Sequence, residues 1–234
     1  MKARKKLLNR QFLRHTRLGD LEEALNNGAD INARDEDGET PLLLALDEDL
    51  PVVALMMLEH NADINASDSS GITPLHLATR ALDYDEFIDV FLDGSANVDA
   101  RDEEGKTPLH WAAIDCNKRV IERFLELGAD VHARDNDGRT HLHWAATENS
   151  PEVVALFLEK GIDIESRTLH GQTPLHEAAE YNGSKVVELL LSKGASMGVR
   201  DKDGKSPFDY AKENNSLEGS DVYKRLKEAH FNNK

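Results

Sequence analysis

The sequence predicts an all-α repeat solenoid, built from helix-turn-helix units joined by projecting β-turn fingers. Three observations carry that expectation. The first is a self-copy in mid-chain: Gly105 returns as Gly138, and Thr107-Pro108-Leu109-His110-Trp111-Ala112 returns as Thr140-His141-Leu142-His143-Trp144-Ala145. The threonine recurs at Thr40, Thr73, Thr107, Thr140 and Thr173, and in weaker form at Ser206, in steps of 33, 34, 33, 33 and 33 residues. The second is an independent punctuation in the same register, Gly28-Ala29-Asp30, Asn61-Ala62-Asp63, Ser95-Ala96-Asn97, Gly128-Ala129-Asp130, Gly161-Ile162-Asp163 and Gly194-Ala195-Ser196. The third is composition. A chain of 234 residues with 39% hydrophobic and 6% aromatic residues is poorly supplied for one deep core. It suits a stack whose core is one layer thick.

Each element of a unit follows from its residues. In the unit that opens at Gly105, Thr107 is a good helix N-cap. Pro108 fits the first helical turn, where its missing N–H would have had no partner. Leu109, Ala112, Ala113 and Cys116 then fall on one helical face, and the small alanines admit a close neighbour. Asn117-Lys118 breaks the helix. A second helix puts Val120, Ile121, Phe124 and Leu125 inward and Arg119, Glu122, Arg123 and Glu126 toward water. Gly128 caps it, since glycine adopts the left-handed conformation at little cost. Val131-His132-Ala133-Arg134 runs extended into Asp135-Asn136-Asp137-Gly138, a turn composition. No unit buries its apolar face alone, so neighbours must stack.

The other copies repeat the second-helix pattern at Val53, Met57 and Leu58; Phe87, Ile88, Phe91 and Leu92; Val153, Val154, Phe157 and Leu158; and Val186, Val187, Leu190 and Leu191. The extra residue of the 34-residue step falls in the interhelix turn, Ala81-Leu82-Asp83-Tyr84-Asp85.

With its period of about 33 residues and its T-P-L-H-x-A motif, the chain resembles the ankyrin repeat family over roughly residues 7 to 230. The resemblance implies a single domain over 1–234. It comprises an N-terminal cap repeat at 1–37, full repeats at 38–70, 71–104, 105–137, 138–170 and 171–203, and a C-terminal cap repeat at 204–234. It implies a right-handed curve with a concave groove. The ends depart from the pattern. The T-P-L-H slot of the first unit holds Leu7-Leu8-Asn9-Arg10, and Gly19 to Gly28 reads as a second helix about one turn short, which points to a loosely packed first repeat. At the other end Ser206-Pro207-Phe208-Asp209-Tyr210-Ala211 opens a last unit. A polar loop follows from Asn214 to Asp221, then a helix with Val222, Tyr223 and Leu226 inward and Lys224, Arg225 and Lys227 outward.

Charge narrows the function classes. The net charge is -16, and residues 1–17 carry seven basic groups and no acid, leaving 21 basic against 44 acidic residues in the remainder. Such a body repels nucleic-acid phosphates and anionic lipid, and suits a partner protein with a basic or apolar surface. No apolar run approaches the roughly 18 residues of a membrane helix. The basic N-terminus lacks the apolar core of a secretory signal. The single cysteine, Cys116, excludes an internal disulfide framework and fits a reducing compartment. A monomer in the cytoplasm is the expectation, with nuclear entry or delivery into a host cell also open. The Lys2 to Lys6 cluster reads as an import or surface tag, or as a solubilising cap.

Several constellations invite a chemical reading. The ladder His76, His110, His143 and His176 suggests metal. Yet equivalent atoms of stacked helices lie about 10 Å apart, whereas zinc ligands sit about 2.0–2.3 Å from one ion. The family resemblance makes these histidines structural, tying finger to helix. His141 and His143, two residues apart, point apart. Cys116 lacks an activating partner, so no nucleophile pair with His110 is expected. The expectation is no catalytic residue, no metal and no cofactor.

A second ladder reads Leu44, Leu77, Trp111, Trp144, Glu177 and Tyr210. At 100° per residue Trp111 lies about 200° round the helix from Leu109, away from the interhelix core. On an ankyrin stack that face lines the groove. The next turn adds Glu48, Ala81, Asp115, Glu148 and Tyr181. Indoles with nearby charge suit a binding hot spot, although an indole here also packs against the finger. The finger tips run from acidic at Glu36 and Asp37 to basic at Lys202 and Lys205. Arg34, Arg101, Arg134, Arg167 and Arg200 beside Asp35, Asp102, Asp135 and Asp201 point to charge pairing within fingers. Asn32 and Asn65 match asparagines that are hydroxylated in some related proteins.

The candidate partner-binding set is therefore Leu77, Trp111, Asp115, Trp144, Glu148 and Tyr181 on the helices, with Lys106, Arg139 and Leu169 on the fingers. The resemblance implies a non-catalytic scaffold or adaptor. The alternative is a regulatory inhibitor, or a host-directed effector of an intracellular pathogen, acting by the same surface.

Overall fold

In the computed structural model each repeating threonine ends an extended finger and starts a helix. The structure describes residues 13, 15, 17–80, 87–93, 95–115, 117–148 and 150–232. The Leu7 to Arg10 slot, the Lys2 to Lys6 cluster, the Ala81 to Asp85 turn, the Phe87 side chain and Cys116 lie outside what is described.

Among the described residues all regular structure is helical: α1 (Leu18–Asn26), α2 (Pro41–Asp47), α3 (Pro51–Glu59), α4 (Pro74–Ala78), α5 (Phe87–Asp93), α6 (Pro108–Ile114), α7 (Lys118–Glu126), α8 (His141–Thr147), α9 (Pro151–Glu159), α10 (Pro174–Tyr181), α11 (Ser184–Ser192), α12 (Pro207–Ala211) and α13 (Asp221–Asn232). None of these helices is long and apolar enough to cross a membrane. The helices fall into two compact units, residues 1–103 and 104–234. In the first unit α2 packs on α3 and α4, and α4 on α5. In the second, α6, α8, α10 and α12 form one layer, while α9, α11 and α13 pack successively behind them. The cores are the expected faces: Val53 and Met57 in the first unit, and Leu109, Ala112, Ile121, Phe124, Phe157 and Leu190 in the second, all buried.

The threonine-proline start works as composed, with one addition. Thr73, Thr107, Thr140 and Thr173 each donate their backbone N–H to the Nδ1 of the histidine three residues on, at 3.2, 3.1, 3.1 and 3.0 Å. Nδ1 is thus an acceptor, which leaves the ring proton on Nε2. That proton reaches the next repeat: His143 Nε2 donates to the Gln172 carbonyl and His176 Nε2 to the Lys205 carbonyl, both at 3.2 Å. The neutral tautomer therefore ties a helix to the following finger. His141, at the proline position of α8, points elsewhere, its Nδ1 3.0 Å from the Val131 carbonyl oxygen and its ring stacked 3.8 Å from that of His110.

The fingers form hydrogen-bonded rows within each unit. Leu169 N–H donates to the Asp137 carbonyl at 2.7 Å, Lys202 N–H to the His170 carbonyl at 2.9 Å and Asn136 N–H to the Glu104 carbonyl at 2.9 Å. This approach requires glycine at Gly105, whose φ is +76° and where a Cβ would lie 2.9 Å from Asn136 N. Gly128 has φ +85°, but a Cβ there would meet nothing within 4 Å. Gly105→Ala is therefore expected to destabilise by about 2 kcal/mol and Gly128→Ala by about 1 kcal/mol. Urea midpoints of the two variants would check the ordering, and equal losses would refute it.

One expectation is corrected. Helix α1 is not a turn short. It spans 9 residues, the same as α3, α7, α9 and α11. It starts at Leu18 because the Asp20 carboxylate accepts the Arg17 N–H at 2.9 Å and caps the first turn, and Leu21 and Ala24 are fully buried. The arginine ladder also bonds finger carbonyls. Arg134 donates to the Gly138 carbonyl at 2.7 Å and the Arg167 carbonyl at 2.9 Å, and Arg167 to the Gly171 and Arg200 carbonyls at 3.3 and 2.9 Å. The aspartates are occupied with the turn: Asp135 Oδ1 accepts from the N–H groups of Asp137 at 3.0 Å and Arg139 at 2.8 Å.

Candidate functional site

The first-helix ladder of the second unit shows what its position does. Trp144 Nε1 donates to Asp135 Oδ2 at 3.0 Å, and the Tyr210 hydroxyl donates to Asp201 Oδ2 at 2.6 Å. In both repeats the ladder residue reaches nine residues back and ties its helix to its own finger. Asp201 is held below its ordinary range. Its partial burial opposes this, but the bonds from Tyr210 and from the backbone N–H groups of Lys205 and Asp203 prevail. Tyr210 is correspondingly raised, by desolvation and by Asp201.

The rung between them is different. Glu177 would repel an aspartate nine residues back, and the finger there carries Thr168. Glu177 turns to the preceding finger, where Arg139 Nε meets its Oε1 at 3.1 Å. Glu177 is 1% exposed. Burial pushes its pKa up, with Arg139 countering in part. Arg139 is desolvated too, but Glu177 and then Asp137, at 2.8 Å, hold it charged.

Arg139, Trp144, Thr147, Glu148, Glu177 and Tyr181 line one pocket of about 350 Å³. The Trp144 ring is approached by Lys106 Nζ at 4.5 Å and Arg139 Cζ at 5.3 Å from its centroid. Tyr181, the last residue of α10, is 61% exposed. Of the sequence-derived set, Arg139, Trp144, Glu148 and Tyr181 thus come together, with Lys106 at the edge. Trp111 and Asp115 are half-buried, on α6 and at its C-terminal cap, and do not line the pocket. Leu169 is an exposed finger tip. Leu77 belongs to the first unit, in a cleft of about 140 Å³ with Leu46, Asp47, Asp49, Leu50, Pro51 and Arg80. Leu44, also read as groove-facing, is 2% exposed and belongs to the core. The sequence-derived set left out Thr147 and Glu177, although Glu177 stands on the ladder read as groove-facing. The change of the finger partner from aspartate to Thr168 was the available signal.

One further cluster has the composition of a nucleophile triad. Ser206 Oγ lies 2.9 Å from Asp209 Oδ2 and 2.8 Å from His230 Nδ1, and His230 Nδ1 is 3.2 Å from Asp209 Oδ2. A triad needs the acid and the nucleophile on opposite nitrogens of the imidazole. Here both sit on Nδ1. The cluster is a cap: Asp209 replaces the ladder histidine, accepts the Ser206 N–H at 2.9 Å, and receives α13 in place of a further finger. Burial opposes its charge, but bonds from Lys212 and Ser206 hold Asp209 well below the usual carboxylate range.

Comparison with family profiles agrees with this geometry. The profile described as Ankyrin repeats (3 copies) matches residues 16–102 and 81–168, and that described as Ankyrin repeats (many copies) matches residues 157–211. No curated protein matches the chain. Profiles that span most of the sequence, on helices capped and latched repeat by repeat, place the chain in the ankyrin repeat family, whose members are generally protein–protein interaction modules.

Proposed function

We propose that the chain is a non-catalytic scaffold or adaptor that holds a partner protein on the first-helix face and finger tips of residues 104–234. The observation that carries this reading is the pocket between α8 and α10, where the exposed Tyr181 ring joins Trp144 and Glu148. Exposed aromatics beside charge are typical anchors of protein interfaces. Leu169, 59% exposed at a finger tip of the same unit, offers an apolar contact. The acidic body favours a partner with a basic or apolar surface.

The structure changes which residues make clean probes. Trp144 is bonded to its own finger, so its removal disturbs the fold as well as any interface. Tyr181 and Leu169 project into solvent. With the partner recovered by affinity purification from the native source and identified by mass spectrometry, Leu169→Ala combined with Tyr181→Ala is expected to weaken binding more than about tenfold. Helical circular dichroism should stay unchanged. Unaltered affinity would remove the partner from this surface.

A further inference from the structure

We infer that Asn182-Gly183 is a deamidation site that the native fold locks and that unfolding opens, after which the chain no longer returns to its native state.

Asn-Gly occurs twice in the sequence, at Asn27-Gly28 and Asn182-Gly183. The pair is reactive by itself. The glycine backbone nitrogen attacks the asparagine Cγ and a five-membered imide forms. The Cγ–Nδ2 bond breaks, and ammonia leaves with the proton of the attacking N–H. Water then opens the imide at either carbonyl, giving aspartate or isoaspartate. Glycine permits this because no Cβ hinders the approach and its backbone turns freely.

The native structure brings the reacting groups together and holds them short of reaction. Gly183 N–H donates to Asn182 Oδ1 at 3.2 Å, so nucleophile and amide are already neighbours. Ring closure still requires rotation of both the side chain and the backbone of Asn182, and each is pinned. Its Nδ2 donates to the carbonyl of Ala146 on α8. Its carbonyl accepts from Asn214 Nδ2 at 2.7 Å, and its N–H donates to the Ala178 carbonyl at 3.0 Å. Asn182 is 2% exposed, which keeps water from the amide as well. Asn27 is placed differently. It is exposed at the C-cap of α1, and the last turn of a helix frays.

The products do not fit where Asn182 stood. Aspartate sets a buried carboxylate against the Ala146 carbonyl in place of a donor. Isoaspartate adds a backbone carbon to a connection made of Asn182 and Gly183 alone, between Tyr181 at the end of α10 and Ser184 at the start of α11. An opening that admits the reaction is therefore made permanent by it, because the unfolded chain is modified before it refolds.

Gly183→Ala supplies the control. Gly183 has φ -82°, which any residue adopts, and a Cβ there would meet nothing within 4 Å, so the variant keeps the fold while hindering the imide. The test incubates the full chain at mildly alkaline pH, native and in urea, and follows each asparagine by peptide mass mapping. Asn182 is expected to convert at least about tenfold more slowly in the native chain than in urea, because its rate follows the open population. Asn27 should convert faster than Asn182 in the native chain. On dilution from urea, recovery of helical circular dichroism should fall as Asn182 converts, and Gly183→Ala incubated alongside should lose far less. Native conversion of Asn182 as fast as in urea would overturn the lock. An equal loss of recovery in Gly183→Ala would overturn its consequence.

Discussion

Arg139→Ala is expected to destabilise the protein by about 3 kcal/mol at pH 7, far more than loss of an ordinary surface charge. The reason lies in its partner. Glu177 is fully buried on α10, its Oε1 meets Arg139 Nε, and burial already raises its pKa. Without the guanidinium the carboxylate must stay buried and unpaired, or take up a proton. Glu177→Gln alone removes the buried charge and should cost less. The double variant should be less damaged than the sum of the singles, because the unpaired charge is gone. The pH dependence gives a second handle. An acid whose folded pKa is raised binds protons more tightly in the folded state, so the penalty is present above that pKa and fades as pH falls through it. Urea unfolding of the two singles and the double at pH 7 and pH 5 would measure this. A loss below about 0.5 kcal/mol, the scale of an exposed pair such as Lys118 with Glu122, would refute it.

The second large effect is a fall in stability with acid between pH 7 and pH 5, carried by the buried histidine ladder. His143 is fully buried. Burial lowers its pKa to about 3, with Arg134 and Arg139 adding to the shift. His176 is lowered for the same leading reason. The folded pKa lies below the unfolded value, so the unfolded chain binds the proton first. The histidine contribution is complete above about pH 6.5 and is lost progressively as pH falls toward 3. One such group gives about 1.4 kcal/mol per pH unit in that window, or about 2 kcal/mol from pH 7 to pH 5. Protonation has a geometric consequence as well, because Nδ1 would cease to accept the Thr140 N–H. Glu177 acts with the opposite sign, so the comparison must be made within pairs. Free energies of unfolding for wild type and His143→Gln across pH 5 to 7 should differ in slope by nearly one proton. Parallel slopes would show that His143 titrates normally.

How far the site was legible can be judged residue by residue. Helix starts, inward faces and the left-handed glycine that caps the second helix were readable because each depends on residues within one period. The direction of Trp144 away from the interhelix core was readable from helical geometry. Its bond to Asp135 was not singled out, since the same position suits a groove contact. The pairing of Arg139 with Glu177 spans 38 residues and needed the finger of one repeat to be placed against the helix of the next. The carbonyl bonds of the arginine ladder were not legible for a more general reason. They reach the carbonyls of Gly138, Arg167 and Gly171 among others, and a backbone carbonyl leaves no mark in a sequence.

By itself the sequence determined the repeat, its helix pairs and fingers, and the acidic character that bears on any partner. These follow from short-range periodicity and from charge, which are properties of the chain read in order. Only the tertiary structure decided which ladder side chains are spent within the protein and which are offered to solvent. Trp144, Tyr210 and Glu177 are held by finger groups, whereas Tyr181 projects outward. That division depends on distances between neighbouring repeats, because whether a polar group is satisfied internally is settled by what stands opposite it in space.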